Sequence, residues 1–176
     1  MLRRLQRDTL GATAVEFALI APIVIMFLIG TIDYGLVLAR YHTLEEAARR
    51  AARQALIGEP LSDSVNYNSA DEKVVCNQTE CVGATEITGY NTEWAKIVAA
   101  AKQVYPSISG ANITVTYTNS GLINEASVCL VVPVVTVKIS GVDKDYFFLS
   151  AFDGSDYGEI SASQVGGSVV PSNNCA

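Results

Sequence analysis

Residues 11–53 read GATAVEFALIAPIVIMFLIGTIDYGLVLARYHTLEEAARRAAR. This stretch carries one carboxylate near its start, Glu16, and no further charged side chain until Asp33. A helix needs about 20 apolar residues to cross the hydrocarbon core of a bilayer. Counted from residue 12 to residue 32, the stretch is long enough, provided that Glu16 is tolerated. The segment therefore predicts a membrane-spanning helix close to the N-terminus.

The arginines around this segment predict its orientation. Arg3, Arg4 and Arg7 precede the apolar run, and the next basic residue is Arg40. Because basic residues stay on the cytoplasmic side, this asymmetry leaves the N-terminus in the cytoplasm and places the bulk of the chain across the membrane. A cleaved secretory signal would have a shorter apolar core, of about 7–15 residues, with its small residues after the core. Here the small residues, Gly11 and Ala12, come before it.

The helical pattern continues beyond the apolar run. Glu45 and Glu46 lie four residues before Arg49 and Arg50, in the orientation that favours helical ion pairs. A stripe of small and apolar residues follows the same spacing: Leu36, Ala39, Leu44, Ala47, Ala48, Ala51, Ala55 and Leu56. Gly58 and a following proline end the pattern. We therefore expect one helix over residues 12–57, roughly 69 Å long at 1.5 Å per residue, with residues 12–34 in the membrane.

Residues 58–176 predict a separate extracytoplasmic domain. A long loop to residue 90 precedes a second helix, capped by Asn91 or Thr92, in which Trp94 most simply belongs to the core. Alternating or buried strands are predicted within residues 112–118, 126–140 and 158–165. Pro133 interrupts the second of these and predicts a bulge or an edge position. The expected fold class is α+β, with the long helix packed on a small antiparallel sheet together with the second helix.

The charge of the outer domain restricts its partners. Residues 1–53 carry a formal charge of +2 and residues 54–176 a charge of −8. An acidic domain argues against nucleic acid or anionic lipid as its main partner.

All four cysteines lie beyond the membrane helix, which suits disulfides in an oxidising compartment. Four cysteines allow three pairings. The short separation of Cys76 and Cys81 favours a local bridge, and that pairing leaves Cys129 with Cys175. A zinc site is the weaker alternative, because there is no C-x-x-C motif and the only histidine, His42, is distant in sequence.

No motif points to an enzyme. The sequence contains no HExxH, no GxSxG, no phosphate-binding glycine loop and no dinucleotide fingerprint. The acidic stretch Asp153–Glu159 departs from the EF-hand spacing, so we expect an acidic turn there and no metal or cofactor. Two triplets, one starting at Asn77 and one at Asn112, match the N-glycosylation pattern, a short motif that also recurs by chance.

The N-terminal residues resemble a known family. Gly11-Ala12 followed by Glu16-Phe17 and a long apolar helix is similar to the leader region of type IV pilin-class proteins. The further run from Ile29 to Arg53, with Asp33-Tyr34-Gly35 and an alanine-arginine end, resembles the TadE-like family. These proteins are pseudopilins of tight-adherence (Flp) pilus systems. The match is specific from about residue 4 to residue 53.

The resemblance implies a role in pilus biogenesis. A prepilin peptidase would remove residues 1–11 between Gly11 and Ala12. The mature protein would be a minor pseudopilin, single-pass in the bacterial inner membrane, with other pilin subunits and the pilus assembly platform as partners. An uncleaved, membrane-anchored periplasmic binding or scaffold protein is the alternative, and a tethered enzyme is a third possibility that no motif favours.

Glu16 is the expected assembly residue, together with Phe17. Cleavage would give Ala12 a free α-amino group, which is largely protonated at neutral pH. Glu16 would lie one helical turn inside the new terminus, where it could pair with that ammonium in its own chain or in the next subunit. The alternative is an interfacial carboxylate that reaches to the lipid headgroups.

Overall fold

The computed structural model describes residues 9–62, 73–83, 89–124, 130–144, 146, 157–166 and 170–171. The helices are α1, Thr9–Ile57, and α2, Tyr90–Lys102. The strands are β1 Lys73–Cys76, β2 Cys81–Val82, β3 Ile113–Asn124, β4 Leu130–Ile139, β5 Ile160–Val165 and β6 Val170–Pro171. A short 3-10 turn, Gly110–Asn112, precedes β3. The predicted α+β class is confirmed: a long N-terminal apolar helix is joined to a domain in which a second helix packs on a small antiparallel sheet.

The sheet is antiparallel throughout, in the order β2-β1-β3-β4-β5, and β6 also pairs with β4. Its register brings Thr116 opposite Thr136 and brings Thr136 opposite Ser163. Because side chains alternate across a strand, these hydroxyl residues share one face. The intervening residues of β3 and β4 point to the other face, where Val115, Val135 and Val137 are completely buried.

The chain divides into two compact units, and one boundary between them falls within α1, between Ala39 and Arg40. In the second unit, α1 contributes a fully buried stripe: Leu44, Ala47, Ala48, Ala51 and Ala52. α2 contributes Trp94, Ile97 and Ala101, all at most 5% exposed. Alanine costs no side-chain entropy in a helix and takes little space, so such a stripe brings the helix axis close to its neighbours. Two members of the predicted stripe, Leu36 and Ala39, are instead exposed.

The segment predicted as a continuous loop contains a hairpin. β1 and β2 pair at the end of that segment, with Cys76 opposite Cys81. Gly83 follows β2 with φ +97, and a Cβ there would lie 2.8 Å from the carbonyl oxygen of Lys73. Sequence patterning missed both strands because each is short, and a disulfide and a close glycine contact define them.

α2 begins earlier than predicted. Its first residue is Tyr90, and its N-cap is Gly89, at φ 102 with no side-chain cap. The predicted caps at Asn91 and Thr92 are therefore wrong. The backbone carbonyl of Gly89 accepts the N–H groups of Thr92 and Glu93, so a turn takes the place of a capping side chain.

Pro133 lies beside an irregularity, as predicted. It pairs with Asn119, and the register between β3 and β4 then shifts before Ile123 and Val131 pair. β4 is flanked by β3 and β5, so Pro133 is not on an edge strand. The missing N–H of proline is accommodated where the ladder is already interrupted.

Two sequence predictions fall outside the described residues. Cys129 and Cys175 lie outside the described residues, and so do residues 153–156 of the acidic stretch. The predicted Cys129–Cys175 bridge remains a prediction. Near the C-terminus, Val170 and Pro171 pair with β4.

Candidate membrane-anchoring and assembly segment

From Gly11 to Ile32, α1 is mainly apolar, and almost all of its side chains are exposed. Phe17 is 73% exposed, Ile23 70% and Phe27 72%, and large apolar side chains remain exposed as far as Leu38. Within the described residues, α1 from Gly11 to Ile57 is the one candidate membrane span, on length and composition alone, with a mean hydropathy of 2.4 in its best window. An exposed apolar surface of this extent in a soluble protein would favour aggregation. A membrane anchor accounts for it.

The predicted cleavage junction lies near the start of α1. The helix begins at Thr9, so Gly11 and Ala12 lie in its first turn, and both are exposed. A Cβ added at Gly11 would meet nothing within 4 Å. Packing against the described residues therefore does not require glycine at this position.

Glu16 and Phe17 are exposed on the same helix, one turn beyond Ala12. Neither an ion pair nor a hydrogen bond of the Glu16 side chain is found with any residue that the structure describes. A carboxylate within an apolar segment is costly and usually has a partner. Its exposed position lets a group outside this stretch of helix reach it.

A shallow apolar groove lies beside Pro22 on the same helix. It is lined by Ala18, Ala21, Pro22, Ile25, Met26 and Ile29. α1 continues through Pro22 without a break. In membranes, small side chains let neighbouring helices approach closely, so a groove of this kind suits a second helix.

Asp33 is a buried carboxylate on α1, and its burial was not among the sequence-based predictions. It ends the apolar run, yet it is only 4% exposed, and Val37 one turn later is 7% exposed. Asp33 also has an interaction partner. The available signal was a lone carboxylate at the end of an apolar segment, since such a group is seldom left unsatisfied.

The last part of α1 is fixed by surface charges and buried alanines together. Arg49 donates to Glu45 at 2.6 Å, and Arg50 donates to Glu46 at 3.1 Å, which are the two predicted pairs. Each exposed pair contributes roughly 0.3–0.5 kcal/mol. The alanine stripe on the opposite side contributes more, because it is buried. His42 lies on the exposed side of this part of the helix, 3.8 Å from Glu45.

A disulfide closes the β1–β2 hairpin. Cys76 and Cys81 are bonded, as the local pairing predicts, and Cys76 is completely buried. The Sγ atom of Cys81 lies 3.8 Å from the carbonyl oxygen of Leu61, a buried residue after α1. The bridge therefore lies against the chain that leaves the long helix.

The sheet carries a polar depression, and the described residues contain no cluster of metal ligands. Within them, no group of three or more His, Cys, Asp or Glu side chains could hold a metal ion. A polar depression on the exposed face of the sheet is lined mainly by threonine, serine and lysine side chains. Its Lys138 is paired with Glu159 at 2.7 Å. Neither histidine nor cysteine lines this depression.

Comparisons with known proteins match the N-terminal segment of the chain to one family. No curated protein and no solved structure matches the chain. The family model described as TadE-like protein matches residues 11–53, which is about a quarter of the sequence. These residues cover the predicted junction, the apolar segment and the alanine-arginine end of α1. Residues 11–53 are thus a TadE-like segment, and the resemblance noted in the sequence is confirmed.

Proposed function

We propose that this protein is a minor pseudopilin of a tight-adherence (Flp) pilus system, needed for assembly of the filament and without enzymatic activity. The observation that carries the proposal is that the TadE-like match covers a long helix whose first part, from Gly11 to Ile32, is apolar and exposed. That helix ends in a small α+β domain.

Two features of α1 support the pilin-like part of the proposal. Gly11 has no packing role within the described structure, which suits a residue read by a prepilin peptidase. Glu16 makes no ion pair within the described residues, which suits a carboxylate that pairs with a processed terminus or a neighbouring subunit. The remaining proposed partners are the lipid bilayer, other pilin and pseudopilin subunits, and the assembly platform of the inner membrane.

The proposed location is a single pass through the bacterial inner membrane, with residues 58–176 on the extracytoplasmic side. The length and composition of α1 suit an anchor of this kind. The acidic charge of the outer domain suits neither nucleic acid nor an anionic lipid surface.

The mass of the mature protein tests the proposal. A pseudopilin loses residues 1–11, and its N-terminus becomes Ala12. Gly11→Leu should block removal of the leader, so full-length protein should accumulate. Gly30→Leu is the matched control, because a Cβ at Gly30 also meets nothing within 4 Å on the same helix. This control should be processed normally.

The alternative function is an uncleaved, membrane-anchored binding or scaffold protein. Mature wild-type protein that still begins at Met1 would establish the alternative and refute the pseudopilin. Equal processing of the Gly11 and Gly30 variants would also count against recognition of the junction.

A further inference from the structure

The chain contains two Asn-x-Thr triplets, at residues 77–79 and 112–114. The sequence cannot distinguish them, because both match the same acceptor pattern for N-linked glycosylation. Their surroundings in the structure differ. The two sites differ in whether the asparagine amide is already hydrogen-bonded and in whether the triplet is exposed.

Both the oxygen and the nitrogen of the Asn112 side-chain amide are hydrogen-bonded within the fold. Its Nδ2 donates to the carbonyl oxygens of Ser140, at 2.9 Å, and of Gly141, at 2.8 Å. Its Oδ1 accepts the N–H of Ser109 at 3.2 Å. Both hydrogens of the amide are therefore used, and the next residue, Ile113, is 1% exposed. A saccharide on this nitrogen would break the link between the start of β3 and the end of β4.

Asn77 has the opposite arrangement. Its Oδ1 accepts three hydrogen bonds: from the N–H of Thr79 at 2.8 Å, from the hydroxyl of Thr79 at 2.8 Å, and from the N–H of Glu80 at 3.0 Å. Its Nδ2 makes no hydrogen bond with the residues that the structure describes. The residues that follow, Gln78, Thr79 and Glu80, are all exposed.

Three further contacts hold this loop in place. The disulfide between Cys76 and Cys81 closes it, and the backbone N–H of Asn77 donates to the carbonyl of Glu80 at 2.9 Å. The hydroxyl of Tyr90 donates to the carbonyl of Asn77 from the start of α2. Because these bonds use the backbone of the loop, the side-chain nitrogen of Asn77 is left available at the surface.

We propose that Asn77, and not Asn112, is an acceptor for an N-linked saccharide. The three donors on Oδ1 stabilise negative charge on that oxygen and so make the Nδ2 hydrogens more acidic. Among these donors is the hydroxyl that the acceptor pattern requires at the third position. The co-substrate class is a polyprenyl diphosphate-linked saccharide.

The transfer balances as a substitution at the anomeric carbon. The bond from Nδ2 to the anomeric carbon forms as the bond from that carbon to the phosphate oxygen breaks. The polyprenyl diphosphate leaves with the electron pair, and one Nδ2 proton is released. No oxidant or metal from this chain takes part. The assignment rests on the proposed function in one respect, since the outer domain must lie on the side of the membrane where such donors are used.

Mass spectrometry of full-length and processed protein from its native membranes tests the assignment. Trypsin releases residues 74–96 as one peptide, which contains Asn77 and no second acceptor triplet. We expect a saccharide remnant on Asn77. Asn77→Gln and Thr79→Ala should both abolish the added mass, whereas Thr79→Ser should keep it.

Thr114→Val is the matched control. It removes the second triplet without disturbing the hydrogen bonds of Asn112, and valine suits a strand position. This variant should keep the saccharide of wild type. An unmodified Asn77 in native protein, or an added mass that survives Asn77→Gln, would overturn the assignment. Loss of residues 1–11 is read in the same spectra, so failure at Asn77 and failure of leader removal are separate results.

Discussion

The side-chain hydroxyl of Tyr90 donates a hydrogen bond to the backbone carbonyl of Asn77 and lies 3.4 Å from the carbonyl of Glu80. The first residue of α2 is thereby tied to the disulfide-closed loop. The Tyr90 ring also stacks on Trp94, with centroids 6.1 Å apart and planes 13° apart. One tyrosine therefore joins the hairpin to the core face of α2.

Tyr90→Phe should lower the free energy of unfolding by about 1 kcal/mol, because it removes the hydroxyl and leaves the stacked ring in place. Denaturant titration of the purified chain in detergent measures this. Tyr105→Phe is the control, since its hydroxyl makes no hydrogen bond to the described part of the chain. Equal effects of the two substitutions would contradict a role for the Tyr90 hydroxyl.

Replacing Cys76 and Cys81 together by alanine should cost about 2 kcal/mol by the loop-entropy estimate for so short a loop. It should also reduce the effect of Tyr90→Phe, since the loop that accepts the hydroxyl is then less ordered. A double-mutant cycle measures the coupling between the two changes. Strictly additive effects would show that the hydroxyl and the disulfide act independently.

Ala51→Leu should destabilise the second compact unit by about 1–3 kcal/mol, because the alanine is completely buried and a larger side chain overpacks its site. Arg53→Leu places the same side chain on an exposed position of the same helix and should change stability little. Thermal unfolding of both variants gives the comparison. A stable Ala51→Leu protein would mean that the stripe is less tightly packed than its burial indicates.

Glu16→Gln keeps the shape of the side chain and removes its charge. It should leave cleavage at Gly11 largely intact, yet weaken crosslinking to neighbouring pilin subunits and reduce the number of filaments. The physical reason is loss of the partner for a protonated N-terminus at the edge of the apolar phase. If the variant is processed, crosslinks and forms filaments as wild type does, Glu16 has no assembly role.

The second predicted disulfide joins Cys129 to Cys175. Closure of a loop of roughly 45 residues should stabilise the domain by about 4 kcal/mol in the loop-entropy model. Peptide mapping without reduction, on protein from its native compartment, should recover the two cysteine peptides as one linked species. Free thiols at both positions would refute the pairing.

The sequence by itself determined the elements that long periodic patterns specify. The uncharged run after Glu16 predicts an apolar helix, and the alanine spacing predicts its continuation to Ile57, where α1 ends. The alternation of Ile113, Val115 and Tyr117 likewise predicts which face of β3 is buried. These predictions succeeded because helix and strand periods act locally and repeat over many residues.

Only the tertiary structure decided the features that depend on distant residues meeting. The β1–β2 hairpin is too short to have a period of its own, and its disulfide and the contact at Gly83 define it. The different surroundings of Asn77 and Asn112 were likewise outside the reach of local patterns. The physical reason is that burial and hydrogen bonding depend on which parts of the chain become neighbours, and periodicity carries no record of that.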